Sequence, residues 1–74
     1  MIRVPRNVKP QQVIKFLVKL GFKEGRGKGS HIRLTNPDGR WTQVAVHPKP
    51  IPKGTLRKII RQTELTEDQL KNLK

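Results

Sequence analysis

Between His31 and Val46 the chain alternates apolar and polar residues on both sides of one tetrapeptide, Asn36-Pro37-Asp38-Gly39. Ile32 and Leu34 alternate with His31, Arg33 and Thr35; Thr42, Val44 and Val46 alternate with Trp41, Gln43 and Ala45. A period of two is that of a strand with one buried face. Pro37 supplies the fixed φ that a type I turn needs, and Gly39 the positive φ of the bulge residue that follows it. The segment therefore reads as a β-hairpin, and one face of it must be covered. With Ile32, Leu34, Val44 and Val46 turned toward that cover, His31, Arg33, Trp41 and Gln43 share the opposite face or its rim.

The cover has to come from the flanks. Val13, Phe16, Leu17 and Leu20 recur at i, i+3, i+4 and i+7, widened by Ile14 and Val18, which predicts an amphipathic helix over 10–20 with Lys15 and Lys19 on its outer face. Pro10 suits its first turn, and Gly21 suits the left-handed residue just past its end. Phe22 and Lys23 open a short strand, followed by a glycine-interrupted basic segment from Glu24 to Ser30. After the hairpin, Pro48, Pro50 and Pro52 remove ladder donors, so 47–54 is a stiff connector. A second helix starts between Lys53 and Thr55 and runs to about Gln62, burying Leu56, Ile59 and Ile60. A third begins at Glu67: Thr66 is its N-cap, Gln69 the capping-box partner, Leu65 and Leu70 a hydrophobic staple, and Leu73 a second anchor. No repeat or interdomain linker interrupts 1–74. The prediction is a single α+β domain with helices on one face of a small antiparallel sheet.

Such a domain has a thin core. Only 32% of 74 residues are hydrophobic, and the aromatics are Trp41, Phe16 and Phe22. A chain of this size buries about 60% of its unfolded surface, so net stability of a few kcal/mol is expected. The absence of cysteine excludes disulfides, thiolate zinc sites and cysteine nucleophiles, and suits a reducing compartment. No apolar run approaches the roughly 20 residues that span a bilayer, and no signal-peptide pattern opens the chain. The expectation is a cytoplasmic protein with no membrane partner.

Charge narrows the function. Seventeen Lys and Arg against five Asp and Glu give +12, and 15 of the 17 cations precede Gln62 while only Glu24 and Asp38 oppose them there. Basic residues interleaved with apolar periodicity describe a folded polyanion binder rather than a solvated tail. Lys53, Arg57 and Lys58 sit in the first turns of the second helix, where the macrodipole disfavours cations by roughly 0.3–1 kcal/mol each. Local rules are broken in this way where phosphate is to be held, surface solubility being the plain alternative. The glycine-rich stretch is not a Walker loop, since Lys28-Gly29-Ser30 leads into a strand rather than a helix. It reads either as a basic loop embracing a phosphodiester backbone or as a plain mobile loop. Pairing the second and third helices as a helix-turn-helix would aim Glu67 and Asp68 at DNA phosphates. Trp41 either stacks a base or closes the core at the hairpin mouth.

His31 and His47 are the only histidines, and histidine is the side-chain type that moves protons near neutrality. Cleaving RNA requires a group to take the 2′-hydroxyl proton or protonate the leaving 5′-oxygen, with cations to stabilise the phosphorane; it does not strictly need a metal. No cluster of His, Asp and Glu has metal-ligand spacing, so no metal and no small-molecule cofactor are expected. A strand histidine that merely packs or lies on the surface is the competing reading of His31, and the residue types leave it open.

The run Leu20-Gly21-Phe22, Gly27-Lys28-Gly29-Ser30-His31, a hairpin, Val44-Ala45-Val46-His47 and Lys53-Gly54-Thr55-Leu56-Arg57-Lys58-Ile59-Ile60-Arg61-Gln62 resembles the HicA (YcfA-like) toxins of bacterial and archaeal toxin–antitoxin pairs. The resemblance covers about residues 8 to 70, with Met1 to Asn7, including Arg3 and Arg6, extending beyond the usual start. It implies an α-β-β-β-α fold related to double-stranded RNA-binding domains, with three antiparallel strands. It also implies metal-independent cleavage of mRNA that arrests translation, and a HicB antitoxin that covers the active site. The family's essential histidine falls on His31; His47 matches a recurrent position and is expected to contact substrate or carry a second proton. Arg26, Lys28, Gly29, Ser30, Arg33, Trp41, Lys53, Arg57 and Lys58 are the expected RNA contacts. The reading from another class is a non-catalytic double-stranded RNA-binding module, and a third is a structural protein of a ribonucleoprotein particle.

Overall fold

Each predicted element forms, and its signals operate as local chemistry says they should. The computed structural model describes residues 3–73, which form α1 (Pro10–Lys19), β1 (Lys23–Arg26), β2 (His31–Thr35), β3 (Trp41–Ala45), α2 (Lys53–Thr63) and α3 (Glu67–Lys71). The strands make one antiparallel sheet in the order β1-β2-β3. At the hairpin turn Gly39 N–H donates to the Asn36 carbonyl at 2.9 Å with φ of 101° at Gly39, and Asn36 Oδ1 accepts from Asp38 N–H at 3.1 Å. Thr66 Oγ1 accepts from Gln69 N–H at 3.2 Å while Gln69 Oε1 accepts from Thr66 N–H at 2.9 Å, completing the capping box of α3. The α-β-β-β-α order expected from the resemblance is the order observed.

Val13, Ile14 and Leu17 of α1, Leu34 and Val44 of the sheet, and Leu56, Ile59 and Ile60 of α2 form one core with Phe22, Ile51, Leu65, Leu70 and Leu73. The apolar stripe of α1 is rotated from the predicted one: Phe16 and Leu20 are only partly buried and Val18 is exposed. The segment before α1 joins the core as well. Val4 and Val8 are buried, and Ile51 N–H donates to the Val8 carbonyl at 2.8 Å, tying the segment to the proline-rich connector. Met1 and Ile2 of the N-terminal extension, and Lys74, lie outside the described residues. α1 touches all three strands, whereas α2 contacts β3 alone among them. That asymmetry places α2 beside the sheet's β3 edge and opens a groove along it.

Candidate nucleic-acid interface

The pairing register decides what faces the groove. His31 is opposite Ala45, Arg33 opposite Gln43 and Thr35 opposite Trp41, so these six side chains share the sheet face away from the core. Ala45 is short, which leaves the space between the His31 imidazole and α2 open. On the helix, Thr55, Lys58, Ile59 and Gln62 recur at i, i+3, i+4 and i+7 and form one stripe. The two sets meet: His31, Trp41, Gln43 and Ala45 on the sheet and Thr55, Lys58, Ile59 and Gln62 on the helix line a groove of about 240 Å³.

Of the segment expected to be a loop, Glu24 to Arg26 belong to β1, paired with β2, and only Gly27 to Ser30 turn, tightly. Gly27 N–H donates to the His31 carbonyl at 3.1 Å and His31 N–H to the Lys28 carbonyl at 3.1 Å, with Gly29 at a φ of 62°. A Cβ on Gly27 would lie 2.7 Å from the His31 carbonyl oxygen, so only glycine fits there. The turn also orients the histidine. His31 Nδ1 is 3.2 Å from the Lys28 carbonyl oxygen. A carbonyl can only accept, so Nδ1 carries the hydrogen and the neutral ring keeps its lone pair on Nε2. The imidazole is thus held in the tautomer a general base needs.

Trp41 does not close the core; it is 44% exposed, with the Arg33 guanidinium 4.5 Å from its ring centroid. Arg33 and Trp41 are diagonal neighbours across the strand pair, within reach of such long side chains. The groove lining contains no carboxylate. Past Trp41 and Gln62 a second depression is lined by Asp38, Gly39, Arg40 and Glu64, where Arg40 pairs with Asp38 and Glu64 adds a negative charge. The Arg40 backbone N–H, 3.0 Å from Asp38 Oδ1, holds the Asp38 carboxyl below the usual carboxylate range, and the Arg40 side chain at 2.7 Å assists.

Of the residues the sequence singles out, the structure brings His31, Trp41 and Lys58 into one groove and stacks Arg33 on its Trp41 wall. Lys28, Gly29 and Ser30 are exposed in the turn that leads into His31, whereas Arg26, exposed at the end of β1, pairs with Ile32 and so lies on the opposite sheet face from His31. His47, Lys53 and Arg57 are exposed but do not line the groove. Sequence reasoning missed Thr55 and Gln62 as site residues, although their spacing from Lys58 marks a helix stripe. It also missed Thr42, which is fully buried and donates from Oγ1 to Gln62 Oε1 at 2.7 Å. Among the described residues no group of three or more His, Asp or Glu is arranged to hold a metal ion, and no helix is long and apolar enough to cross a membrane.

A comparison with curated proteins found no match. A family model described as the HicA toxin of bacterial toxin–antitoxin systems matches residues 10–65. That span begins at the first residue of α1, ends just past α2, and includes His31, the turn that orients it and all eight residues lining the groove. With more than half of the chain matched, and the groove wholly inside the match, the chain belongs to the HicA toxin family.

Proposed function

We propose that this chain is an endoribonuclease toxin that cleaves single-stranded mRNA without a metal, with His31 as the proton-transfer residue, and so arrests translation. The observation that carries the reading is the hydrogen bond from His31 Nδ1 to the Lys28 carbonyl, beside a groove that holds a lysine and no carboxylate. In the step proposed, Nε2 of His31 takes the proton of a ribose 2′-hydroxyl and the 2′-oxygen bonds to the adjacent phosphorus. The P–O5′ bond breaks, and the 5′-oxygen leaves with a proton from water. The products are a 2′,3′-cyclic phosphate and a 5′-hydroxyl. Lys58 offsets the phosphorane charge, and Arg26, Lys28, Arg33, Lys53, Arg57 and the backbone at Gly29 and Ser30 hold flanking phosphates, with His47 as a further contact.

Membership in a toxin–antitoxin family implies an antitoxin partner. The proposed partner is a HicB-like protein that masks this basic surface. The test is cleavage of a transcript in EDTA by purified protein, with end-group analysis. Wild type is expected to leave cyclic phosphate ends, and His31→Ala to lose at least about 100-fold in rate, the usual scale of general acid–base catalysis, while binding RNA as before. Undiminished cleavage by His31→Ala would falsify the role of His31. Salt-sensitive binding by wild type without any scission would identify a non-catalytic RNA-binding module instead.

A further inference from the structure

The groove contains a second piece of machinery that proton transfer does not use. Gln62 is half-buried on α2, and its Oε1 accepts the hydroxyl hydrogen of the fully buried Thr42 at 2.7 Å. With the amide oxygen turned to the Thr42 hydroxyl, the oxygen is spent on the sheet and the group left for the groove is the NH2 donor. Trp41, on the same stretch of groove, has one ring face under the Arg33 guanidinium and lies 44% exposed. A ring with one face covered by a cation offers its other face to a single planar partner. Beyond Trp41 and Gln62 the wall carries Asp38, paired with Arg40 at 2.7 Å, and Glu64, whose charge disfavours a phosphate there but not a neutral base.

We infer that Trp41 and Gln62 form a nucleobase pocket that selects where RNA is cut, with Gln62 as the specificity-determining residue and Thr42 as the residue that positions it. This rests on the nucleic-acid reading of the groove and adds base selection to it. The base stacks on the open face of Trp41 and accepts a hydrogen bond from the Gln62 NH2, so bases presenting an acceptor at that edge are favoured over those presenting a donor. The His31–Ala45 and Thr35–Trp41 pairs are four residues apart along the strands, about 13 Å at strand rise. The selected base is therefore not at the scissile linkage but at a fixed offset from it.

Trp41 is the only tryptophan, so its emission reports on the pocket alone. The experiment titrates wild-type protein with four 2′-O-methyl RNA hexamers, each of one base, which cannot be cleaved through a 2′-hydroxyl. Trp41 emission and oligomer anisotropy are read together. The expected result is quenching on binding and about a fivefold spread of affinity between best and worst base, the worth of one hydrogen bond of about 1 kcal/mol. Gln62→Ala should reduce the spread to within about twofold, Thr42→Val should do the same, and Thr42→Ser should restore it. Gln62→Glu accepts from Thr42 but has no donor, and should lose the preference while keeping the contact to the sheet. A spread that survives Gln62→Ala, equal affinity of wild type for all four bases, or binding that leaves Trp41 emission unchanged would each overturn the pocket while leaving the nuclease reading intact. Absence of any RNA binding would overturn both.

Discussion

Gly27 shows how a single missing atom can hold the geometry of a neighbouring side chain. Its missing Cβ is what lets the backbone approach the His31 carbonyl, and the turn so formed presents the Lys28 carbonyl to the imidazole. Gly27→Ala must push the two strands apart at that point, so it should cost about 1–3 kcal/mol and lower cleavage beyond what the lost stability explains. Gly29→Ala is the control: at φ of 62° with nothing within 4 Å, it adds about 1–2 kcal/mol of left-handed strain but no clash. Melting curves with cleavage rates normalised to folded protein separate the two; equal normalised rates would show that the turn does not position His31. At the hairpin's far end the sign of a pH effect follows from Asp38. Its folded carboxyl is lowered, chiefly by the Arg40 backbone N–H, so its contribution to stability is present above the unfolded carboxylate's pKa and is lost as pH falls through the lowered value. Wild type should therefore lose its stability advantage over Asp38→Asn below about pH 4, read by denaturant melts across the acid range.

At the level of elements, α2 carries a defect that can be relieved. Its C-cap residue Glu64, just after Thr63, is left-handed at a φ of 56°, with its N–H and that of Leu65 both donating to the Ile60 carbonyl. Glycine is the residue that closes such an end without a Cβ penalty, so Glu64→Gly should raise stability by about 0.5–1 kcal/mol, seen as a rise of a few degrees in Tm. The groove wall formed by Gln62 is expected to be unaffected. The elements themselves were legible because their signals are local: the Asn36–Gly39 turn, the Thr66–Gln69 capping box and the Leu56, Ile59, Ile60 stripe each depend on neighbours a few residues away. What the sequence could not show is which helix lies at which sheet edge. Lys58 was marked by its charge and Trp41 by its type, but only the position of α2 beside β3 brings them to His31. Thr42 looked like one more inward strand residue, and its bond to Gln62 crosses twenty positions of sequence. Val4 and Val8 stood in a short basic segment without periodicity, and their burial depends on the Val8–Ile51 bond to the connector, another long-range contact.

The whole molecule is a flat body of 30 × 29 × 18 Å that carries +12 with few internal neutralising contacts. Among the described residues the ion pairs are Arg40 with Asp38 and the exposed Lys71 with Asp68, so only two of the 17 Lys and Arg are paired with a carboxylate, at the hairpin turn and on α3 and outside the groove lining. The remaining charge is therefore available to a polyanion, and its use can be counted. Binding to single-stranded RNA releases counterions, with a slope of log K against log salt of about −0.7 for each phosphate neutralised. If Arg26, Lys28, Arg33, Lys53, Arg57 and Lys58 all engage, the slope should be about −4. Lys58→Gln should make it shallower by about 0.7, and so should Arg57→Gln, while Lys15→Gln, on the far side of the molecule on α1, should leave it unchanged. The measurement is fluorescence anisotropy of a labelled 2′-O-methyl oligomer over a salt series. Equal losses of slope for Lys15→Gln and Lys58→Gln would mean that the RNA samples the whole basic surface, and that the groove beside His31 is not where the excess charge acts.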